Sequence, residues 1–338
     1  MLSIYQKKDL ISLVVLRIIL VYPNRGILIL ANFPKKIFIT DNLILKNPVI
    51  VASGTFGFDG YGSGIVNKFN FSSLGAIVMK STTLLPRVGN PTPRFYHGKH
   101  WTLNSIGIEN PGIDSIIENY LPSWKDWDVS VILSIAGESI DEYLQMATKL
   151  KVHTGICALE LNVSCPNVEN GMEIGQDPIM TKKLVESIKK EIELPIIVKL
   201  SPNVTDIRPI AIAAEEGGAN ALSLTNTLYG MTLNKETHKS VLGTIGGGVS
   251  GFALKPVALS MVWKAFQVVD IPIIGVGGIS NIHDALEYMN AGATAFQIGV
   301  ANYANPRLPL DILRDLNAYC NKHKITDYHF LTGISHNM

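Results

Sequence analysis

Eight short apolar segments of strand character recur along this chain, mostly separated by amphipathic stretches. They are VIVASG (49–54), GAIVMKS (75–81), VSVILSIAG (129–137), ALELNVSC (158–165), PIIVKLSP (195–202), ALSLTNT (221–227), IPIIGVGG (271–278) and AFQIGVA (295–301). Near-continuous apolar strands are typical of a parallel sheet that is covered on both faces. Eight strands alternating with helices favour an α/β fold of the (β/α)8 TIM-barrel type, and an open doubly wound sheet is the alternative.

The segments between the strands carry the pattern of amphipathic helices. We predict helices over residues 141–152, 178–192, 209–216, 256–269 and 281–289. Lys189 and Lys190 lie near the end of the second helix, where positive charge suits the negative end of the helix dipole. Ahead of the first barrel strand, Ile37–Thr40 and Leu43–Leu45 flank a polar pair and predict a small β-hairpin.

The charge balance excludes some classes of partner. The chain has 29 Lys and Arg against 28 Asp and Glu, which leaves a net charge of +1. Nucleic acids and anionic membranes require a basic excess on one face, so we expect no nucleic-acid partner. The 47% of hydrophobic residues is ample for a large core.

Three cysteines, Cys157, Cys165 and Cys320, show no spacing that is typical of a metal site. We therefore predict no metal site in this chain. A disulfide scaffold is equally unexpected at this length, and the interpretation is a reducing, cytoplasmic location. We expect Cys157 to be a packing residue within its strand and Cys320 to be structural.

An apolar run near the N-terminus stands apart from the strand-and-helix pattern. Residues 10–21 are apolar except for Ser12 and Arg17, and a membrane-spanning helix needs about 20 apolar residues. No small-residue cleavage site follows, as a signal peptide would require. We expect residues 1–34 to be an extension outside the fold, with an interfacial anchor as the alternative. Residues 35–338 are predicted to form one barrel domain.

Unusual residues gather at the carboxyl ends of the predicted strands. They are Ser53, Lys80, Asn162, Cys165, Lys199, Asn226, Thr227, Gly277, Gly278 and Gly299. In a barrel those ends converge on one mouth, where active sites are built. Lysines that end buried strands often extend their ammonium groups out of the core, but two of them at one mouth favour an anion or an electron-rich ring as the ligand.

Glycine clusters follow the last two strands. Gly275–Gly278 and Gly299 lie where barrels commonly bind a phosphate through backbone N–H groups. The residues by themselves do not separate FMN from a sugar phosphate. A third cluster, Gly246–Gly251, is interpreted as tight turns.

Cys165 is the candidate for reactive chemistry. It follows a strand, precedes Pro166, and is followed by a loop over residues 168–177 that is long enough to form a lid. A cysteine can act as a nucleophile or as a general base, and its spacing does not choose between them.

Nine motifs together resemble class 1 dihydroorotate dehydrogenases of type B. They are NPVIVASGTFGF, MKSTTLLPRVGNPTPR, LNSIGIENPG, ELNVSCPN, VKLSPNVTDI, TNTL, GGGVSG, KPVAL and IIGVGGI, and with these motifs in order the resemblance runs from about residue 35 to beyond residue 300. The family oxidises dihydroorotate to orotate in pyrimidine synthesis, with FMN at the barrel mouth. The resemblance implies that Cys165 is the base that takes the proton from substrate C5 while the C6 hydride passes to the flavin. Class 2 enzymes have serine as the base and carry an N-terminal membrane segment, so the site residues indicate class 1.

The resemblance also assigns the binding residues. Positions that match FMN contacts are Ser53, Lys80, Ser81, Ser134, Asn162, Lys199, Thr225, Gly251, Gly277, Gly278, Gly299 and Val300. Positions that match the orotate pocket are Lys80, Asn104, Ser105, Ile106, Gly107, Ile108, Asn162, Asn226 and Thr227. Amide side chains suit a planar substrate that shows both donors and acceptors, and Lys80 can offset its carboxylate. Lys199 can stabilise the charge that builds up near the N1–C2 edge of the reduced flavin.

Three positions depart from the family pattern. Ser134 stands where asparagine is usual, Thr225 where isoleucine is usual and Val300 where threonine is usual. Contacts through the backbone survive the last two changes. The side chain of Ser134 is shorter than that of asparagine, so a side-chain contact from this position reaches less far.

The type B motifs imply a partner. Type B enzymes pair with a subunit that carries FAD and a [2Fe–2S] cluster and reduce NAD, in a heterotetramer built on a catalytic homodimer. The alternatives are a type A enzyme that uses fumarate and the barrel of a dihydropyrimidine dehydrogenase. From other classes, a sugar-phosphate isomerase or lyase explains the glycines but not the two lysines with Asn162 and Cys165, and a non-catalytic docking barrel needs no intact site.

Overall fold

Eight parallel strands close into a barrel in the computed structural model, which describes residues 36–59, 71–164 and 174–337. The barrel strands are β3 (Val49–Val51), β4 (Ala76–Thr82), β7 (Ser130–Ile135), β8 (Ala158–Asn162), β9 (Ile196–Leu200), β10 (Ala221–Leu224), β13 (Ile273–Val276) and β14 (Ala293–Ile298). They follow one another around the barrel in chain order, and β14 pairs with β3 to close it. Each predicted apolar segment supplies one of these strands, so the barrel prediction is confirmed.

The strands are apolar because both of their faces are covered. All three residues of β3 are fully buried, and β9 is buried along its whole length although it contains Lys199. One face of each strand lines the barrel interior and the other packs against surrounding helices, which removes the polar alternation of a half-exposed sheet. Polar side chains are therefore concentrated at strand ends and in the interior layers.

Six helices of nine or more residues lie within the described part of the chain. They are α1 (Ile140–Leu150), α2 (Pro178–Glu191), α3 (Arg208–Glu216), α4 (Lys255–Phe266), α5 (Ile282–Asn290) and α6 (Leu308–Lys322). Shorter helical turns are Phe71–Ser73, Ile113–Ser115, Ile116–Tyr120, Leu121–Trp124, Ile174–Gln176, Phe252–Leu254, Ala301–Ala304, Tyr328–Leu331 and Ile334–Asn337. The first five long helices overlap the five predicted helices.

Side-chain caps explain where several helices begin. Ser139 accepts a hydrogen bond from the Glu142 N–H at the start of α1, and Asp177 accepts from two backbone N–H groups at the start of α2. Asn281 does the same for α5. Such caps satisfy N–H groups that have no partner within the helix, and each typically contributes about 1 kcal/mol.

A hairpin and a second sheet complete the fold. The hairpin of β1 (Ile37–Thr40) and β2 (Leu43–Leu45) has the predicted bounds. The second sheet was missed by the sequence reasoning. Its strands are β5 (Phe95–His97), β6 (Thr102–Asn104), β11 (Leu228–Gly230) and β12 (Gly247–Ser250), all antiparallel.

The interpretation of Gly246–Gly251 as tight turns was wrong for most of this cluster, which forms β12. The strand contains glycines because its neighbours approach closely. A Cβ on Gly247 would lie 2.2 Å from the Asn104 carbonyl oxygen, and one on Gly248 would lie 2.1 Å from Thr227 Oγ1. Only residues without a side chain fit between these groups.

Two predictions fall outside the described residues. The extension over residues 1–34 is one, and most of the predicted lid over residues 168–177 is the other. Both stay predictions. Within the described ranges, none of the helices has the length and apolar character that crossing a bilayer requires.

We expect Ile132→Ala to destabilise the barrel strongly. Ile132 is fully buried in β7, and truncating such a side chain typically costs about 2–5 kcal/mol of unfolding free energy. Val152, which is 81% exposed after α1, provides the matched control, and Val152→Ala should stay within about 0.5 kcal/mol. Urea unfolding measures both, and equal midpoints for the two variants would contradict the assignment of the core.

Candidate active site

A cavity of about 660 Å³ opens at the carboxyl ends of the barrel strands. Its floor is formed by strand ends, and its wall is formed by the second sheet and by the segment that follows β6. Most of the predicted site residues line it: Ser53, Lys80, Ser81, Asn104, Ser105, Ile106, Gly107, Ile108, Asn162, Lys199, Thr225, Asn226, Thr227, Gly251, Gly277, Gly278, Gly299 and Val300. Residues that are far apart in sequence are thus brought to one mouth, as barrel closure requires.

Ser134 is the exception among the described candidates. Its side chain is fully buried in β7, and it is not among the residues that line the cavity. Its hydroxyl lies 2.8 Å from the hydroxyl of Ser81, which does line the cavity. In this structure Ser134 therefore reaches the cavity through Ser81, and its contact with a flavin stays a prediction.

Cys165 lies outside the described residues, and the other two cysteines are structural. Burial raises the pKa of the Cys157 thiol to about 12, and the thiol donates a hydrogen bond to the Val131 carbonyl at 3.2 Å. Cys320 is fully buried in α6. A thiol that stays protonated at neutral pH is a poor nucleophile, so Cys157 is unsuited to catalysis.

A chain of hydrogen bonds orders the polar wall of the cavity. Asn226 Nδ2 donates to Asn162 Oδ1 at 2.9 Å, and Asn162 Nδ2 donates to Ser81 Oγ at 3.2 Å. Tyr143 lies on α1, and its hydroxyl donates a hydrogen bond of 2.6 Å to the Asn162 carbonyl oxygen. Because each amide is fixed by a neighbour, its remaining donor or acceptor points in a defined direction, as recognition of a flat polar ring requires.

Lys80 extends from the end of β4 into the cavity. Burial lowers the pKa of its ammonium group, the negative charge of Glu109 opposes that shift, and the positive charge of Arg94 adds to it. A partly desolvated ammonium interacts more strongly with an anion than a solvated one does. A carboxylate that enters the cavity would therefore find a strong partner in Lys80.

Lys199 is more deeply placed at the end of β9. Its side chain is 9% exposed, and its ammonium nitrogen lies 3.6 Å from Oε1 of Glu160, whose side chain is fully buried in β8. Gln297 Nε2 donates to the other Glu160 oxygen at 2.8 Å. The floor of the cavity thus holds a cation whose counter-ion lies inside the barrel.

The glycines at the opposite side of the mouth have backbone conformations that exclude other residues. Gly251, Gly277 and Gly278 have φ angles of 85°, 135° and 70°. A Cβ on Gly278 would lie 2.8 Å from the Gly251 carbonyl oxygen. These turns expose backbone at the ends of β12 and β13, where anions bind to N–H groups in many barrels.

Several cavity residues were missed by the sequence reasoning. They are Asn90, Phe95, Glu109, Asn203, Tyr229, Gly246–Gly248 and Tyr303. Asn203 carried a signal, since it lies three residues beyond the end of β9 in the motif SPN. The aromatic residues carried no signal in the sequence, because only the tertiary fold brings Phe95 and Tyr303 together. Their rings meet edge to face, with the ring centroids 5.9 Å apart. Within the described part of the chain, no group of three or more His, Cys, Asp or Glu side chains could hold a metal ion.

Comparison with known proteins agrees with this geometry. The family model for dihydroorotate dehydrogenase matches residues 39–319. A protein of Desulforudis audaxviator named dihydroorotate dehydrogenase B (NAD(+)), catalytic subunit, is 45% identical over 295 residues, which cover 87% of this chain and 95% of that protein. This chain belongs to the dihydroorotate dehydrogenase family.

Further members of the family with the same name are equally similar. The protein of Desulforamulus reducens is 47% identical over 87% of this chain and 96% of its own length. That of Thermoanaerobacter pseudethanolicus is 46% identical over 86% of this chain and 95% of its own length. The match therefore spans the whole barrel.

Dihydroorotate dehydrogenases are flavin-dependent, and the cavity has features that fit a flavin. Thr225 is 2% exposed, yet its hydroxyl lacks a hydrogen-bond partner among the described residues while the residue lines the cavity. Gly299 leaves open space: a Cβ there would meet only Ala52 Cβ, at 3.8 Å. A buried hydroxyl without a protein partner and an open gap beside Gly299 are both features that fit a bound ligand.

Gly299→Ala tests whether a flavin occupies that gap. The added methyl clashes with nothing in the protein, so the melting temperature of the flavin-free chain should stay unchanged. FMN affinity should fall about tenfold or more, because overpacking typically costs about 1–3 kcal/mol. Equilibrium titration of the flavin-free protein with FMN measures the affinity, and a variant that binds FMN as tightly as the wild type would rule out the gap as the flavin site.

Proposed function

We propose that this chain is the catalytic subunit of an NAD-linked dihydroorotate dehydrogenase, which oxidises dihydroorotate to orotate in pyrimidine synthesis. The observation that supports the proposal best is the cavity at the barrel mouth. It contains the two lysines and the ordered asparagines that suit a flat, polar, anionic substrate beside a flavin. The relatives that match nearly all of the barrel carry the corresponding name.

FMN is the flavin that we assign to the cavity. The glycines at the ends of β12, β13 and β14 would hold its phosphate, and Ser53, Thr225 and Lys199 would contact its ring system. When bound, FMN supplies a hydride acceptor. Lys199 contributes a fixed positive charge at the cavity floor, which favours the negative charge that the ring gains on reduction.

The substrate lies, in this proposal, between the flavin and the segment that follows β6. Lys80 pairs with its carboxylate, and Asn104, Asn162, Asn226 and Thr227 pair with its ring amides and carbonyls. Asn104 is itself held by a hydrogen bond from its Nδ2 to the Gly248 carbonyl at 3.2 Å, which links the pocket to the glycine strand. These contacts fix the ring so that C5 faces the base.

Cys165 is assigned as the base that removes the C5 proton, on the resemblance of ELNVSCPN to the family motif. Cys165→Ala should keep FMN bound while flavin reduction by dihydroorotate slows about 10²–10⁴-fold, the usual cost of losing a general base. Anaerobic stopped-flow absorbance measures the rate. Cys157→Ala and Cys320→Ala are the matched controls and should retain the wild-type rate. Near wild-type reduction in Cys165→Ala would refute the assignment.

A partner subunit with FAD and a [2Fe–2S] cluster completes the proposal, in a heterotetramer built on a homodimer of this chain. The sequence contains one G-x-G-x-x-G spacing, Gly246–Gly251, and most of it forms β12 rather than a strand-to-helix turn that would bind a second dinucleotide. Its three cysteines are too few for the four ligands of an iron–sulfur cluster. In this proposal, electrons on their way to NAD therefore leave through another protein.

The purified chain alone should reduce its flavin with dihydroorotate and pass electrons to an artificial dye, but it should not reduce NAD at a comparable rate. NAD reduction should appear when a subunit carrying FAD and an iron–sulfur cluster is added. NADH absorbance and dye bleaching measure the two activities. Rapid turnover of the lone chain with fumarate would replace this proposal with the type A alternative, and unaided NAD reduction would contradict both.

A further inference from the structure

The barrel contains a polar layer directly beneath the cavity. In a (β/α)8 barrel, alternate strands contribute the side chains of one interior layer, and these are normally bulky and apolar. Glu160 on β8, Gln297 on β14 and Ser223 on β10 lie on alternate strands of this barrel, and all three are fully buried. The hydrogen bond from Gln297 to Glu160 shows that two of them meet across the interior.

Packing does not account for this layer. A fully buried carboxylate costs several kcal/mol unless it is paired and hydrogen-bonded. Glu160 Oε1, Gln297 Oε1 and Ser223 Oγ have no hydrogen-bond partner among the described residues. An apolar layer of the same volume would be more stable, so the retained charge indicates a role in the site above it.

Lys199 links the polar layer to the cavity. It lines the cavity, whereas Glu160 does not, and their charged groups are 3.6 Å apart. In the part of the chain that is described, Lys199 is the one cation paired with Glu160. The distance exceeds that of a strong charge-assisted hydrogen bond, so the ammonium lies near its counter-ion while it can still reach toward a ligand.

We propose that Glu160 is a positioning residue for Lys199. It restrains the ammonium group at the cavity floor and partly neutralises it, and thereby limits how strongly Lys199 raises the reduction potential of the flavin. Gln297 orients Glu160 by donating a hydrogen bond from its Nε2 to Oε2 of Glu160. This inference rests on the proposed function, because it requires FMN in the cavity.

The proposal predicts a coupled effect on the flavin potential. Glu160→Gln has the same shape but no charge, so Lys199 is released and favours the negatively charged reduced flavin, and the midpoint potential rises. Lys199→Met lowers the potential. In the Lys199→Met background, Glu160→Gln has a smaller effect on the potential, because only the direct influence of the carboxylate charge remains and the group that Glu160 restrains is absent.

The experiment is a redox titration of the four FMN-loaded proteins against reference dyes: wild type, each single variant and the double variant. Glu160→Asp keeps a carboxylate and should return the potential part of the way toward the wild-type value. Gln297→Met leaves the carboxylate but removes its orienting donor, and it should shift the potential in the same direction as Glu160→Gln by a smaller amount. This variant also keeps the test decisive if Glu160→Gln does not fold.

Asn47→Ala is the control for a merely structural effect. Asn47 is 5% exposed at the opposite end of the barrel, where it donates to the Ser73 carbonyl at 2.6 Å. Its loss should lower the melting temperature without moving the flavin potential.

Two results would overturn the inference: an unchanged potential in Glu160→Gln, or an equal shift by Glu160→Gln in the wild-type and Lys199→Met backgrounds. Either result leaves the proposed function intact if dihydroorotate still reduces the bound flavin. A wild-type chain that takes up no FMN would overturn both the inference about Glu160 and the proposed function.

Discussion

Closure of the parallel sheet into a barrel determines where the polar residues and the cavity of this protein lie. Once β14 pairs with β3, every strand is covered on both faces and its polar residues are confined to the ends or to the barrel interior. All carboxyl ends then lie on one rim. Residues as distant in sequence as Ser53 and Gly299 become neighbours around a single cavity, without any local motif that connects them.

Barrel closure also separates the residues that stabilise the fold from the residues that can influence the cavity. Apolar strands such as β3 and β13 contribute buried apolar surface and stabilise the fold. The polar layer of Glu160 and Gln297, by contrast, lowers stability relative to an apolar one and lies where a charged side chain can influence the cavity floor. A fold that keeps this costly charge beneath the cavity at the barrel mouth indicates a use for the charge.

Periodicity predicted the elements, whereas close approach between elements could not be predicted in the same way. The hairpin and all eight barrel strands were identified, because apolar runs are visible in the sequence. The strand Gly247–Ser250 was not identified, since glycine contributes no side-chain pattern. Glycine is required there because Asn104 and Thr227 approach the strand closely. Glu160 lay inside a recognised motif, but its role depends on Gln297, which is 137 residues away. The place of Ser134 behind Ser81 likewise follows from the pairing of β4 with β7.

In the function that we propose, the strand ends form one site that holds a flavin and dihydroorotate side by side. The visible absorbance spectrum of the purified protein, recorded before and after anaerobic addition of dihydroorotate, tests it most directly. We expect a yellow protein whose flavin absorbance is bleached by dihydroorotate. A colourless protein that does not take up FMN, or a bound flavin whose spectrum dihydroorotate leaves unchanged, would contradict it.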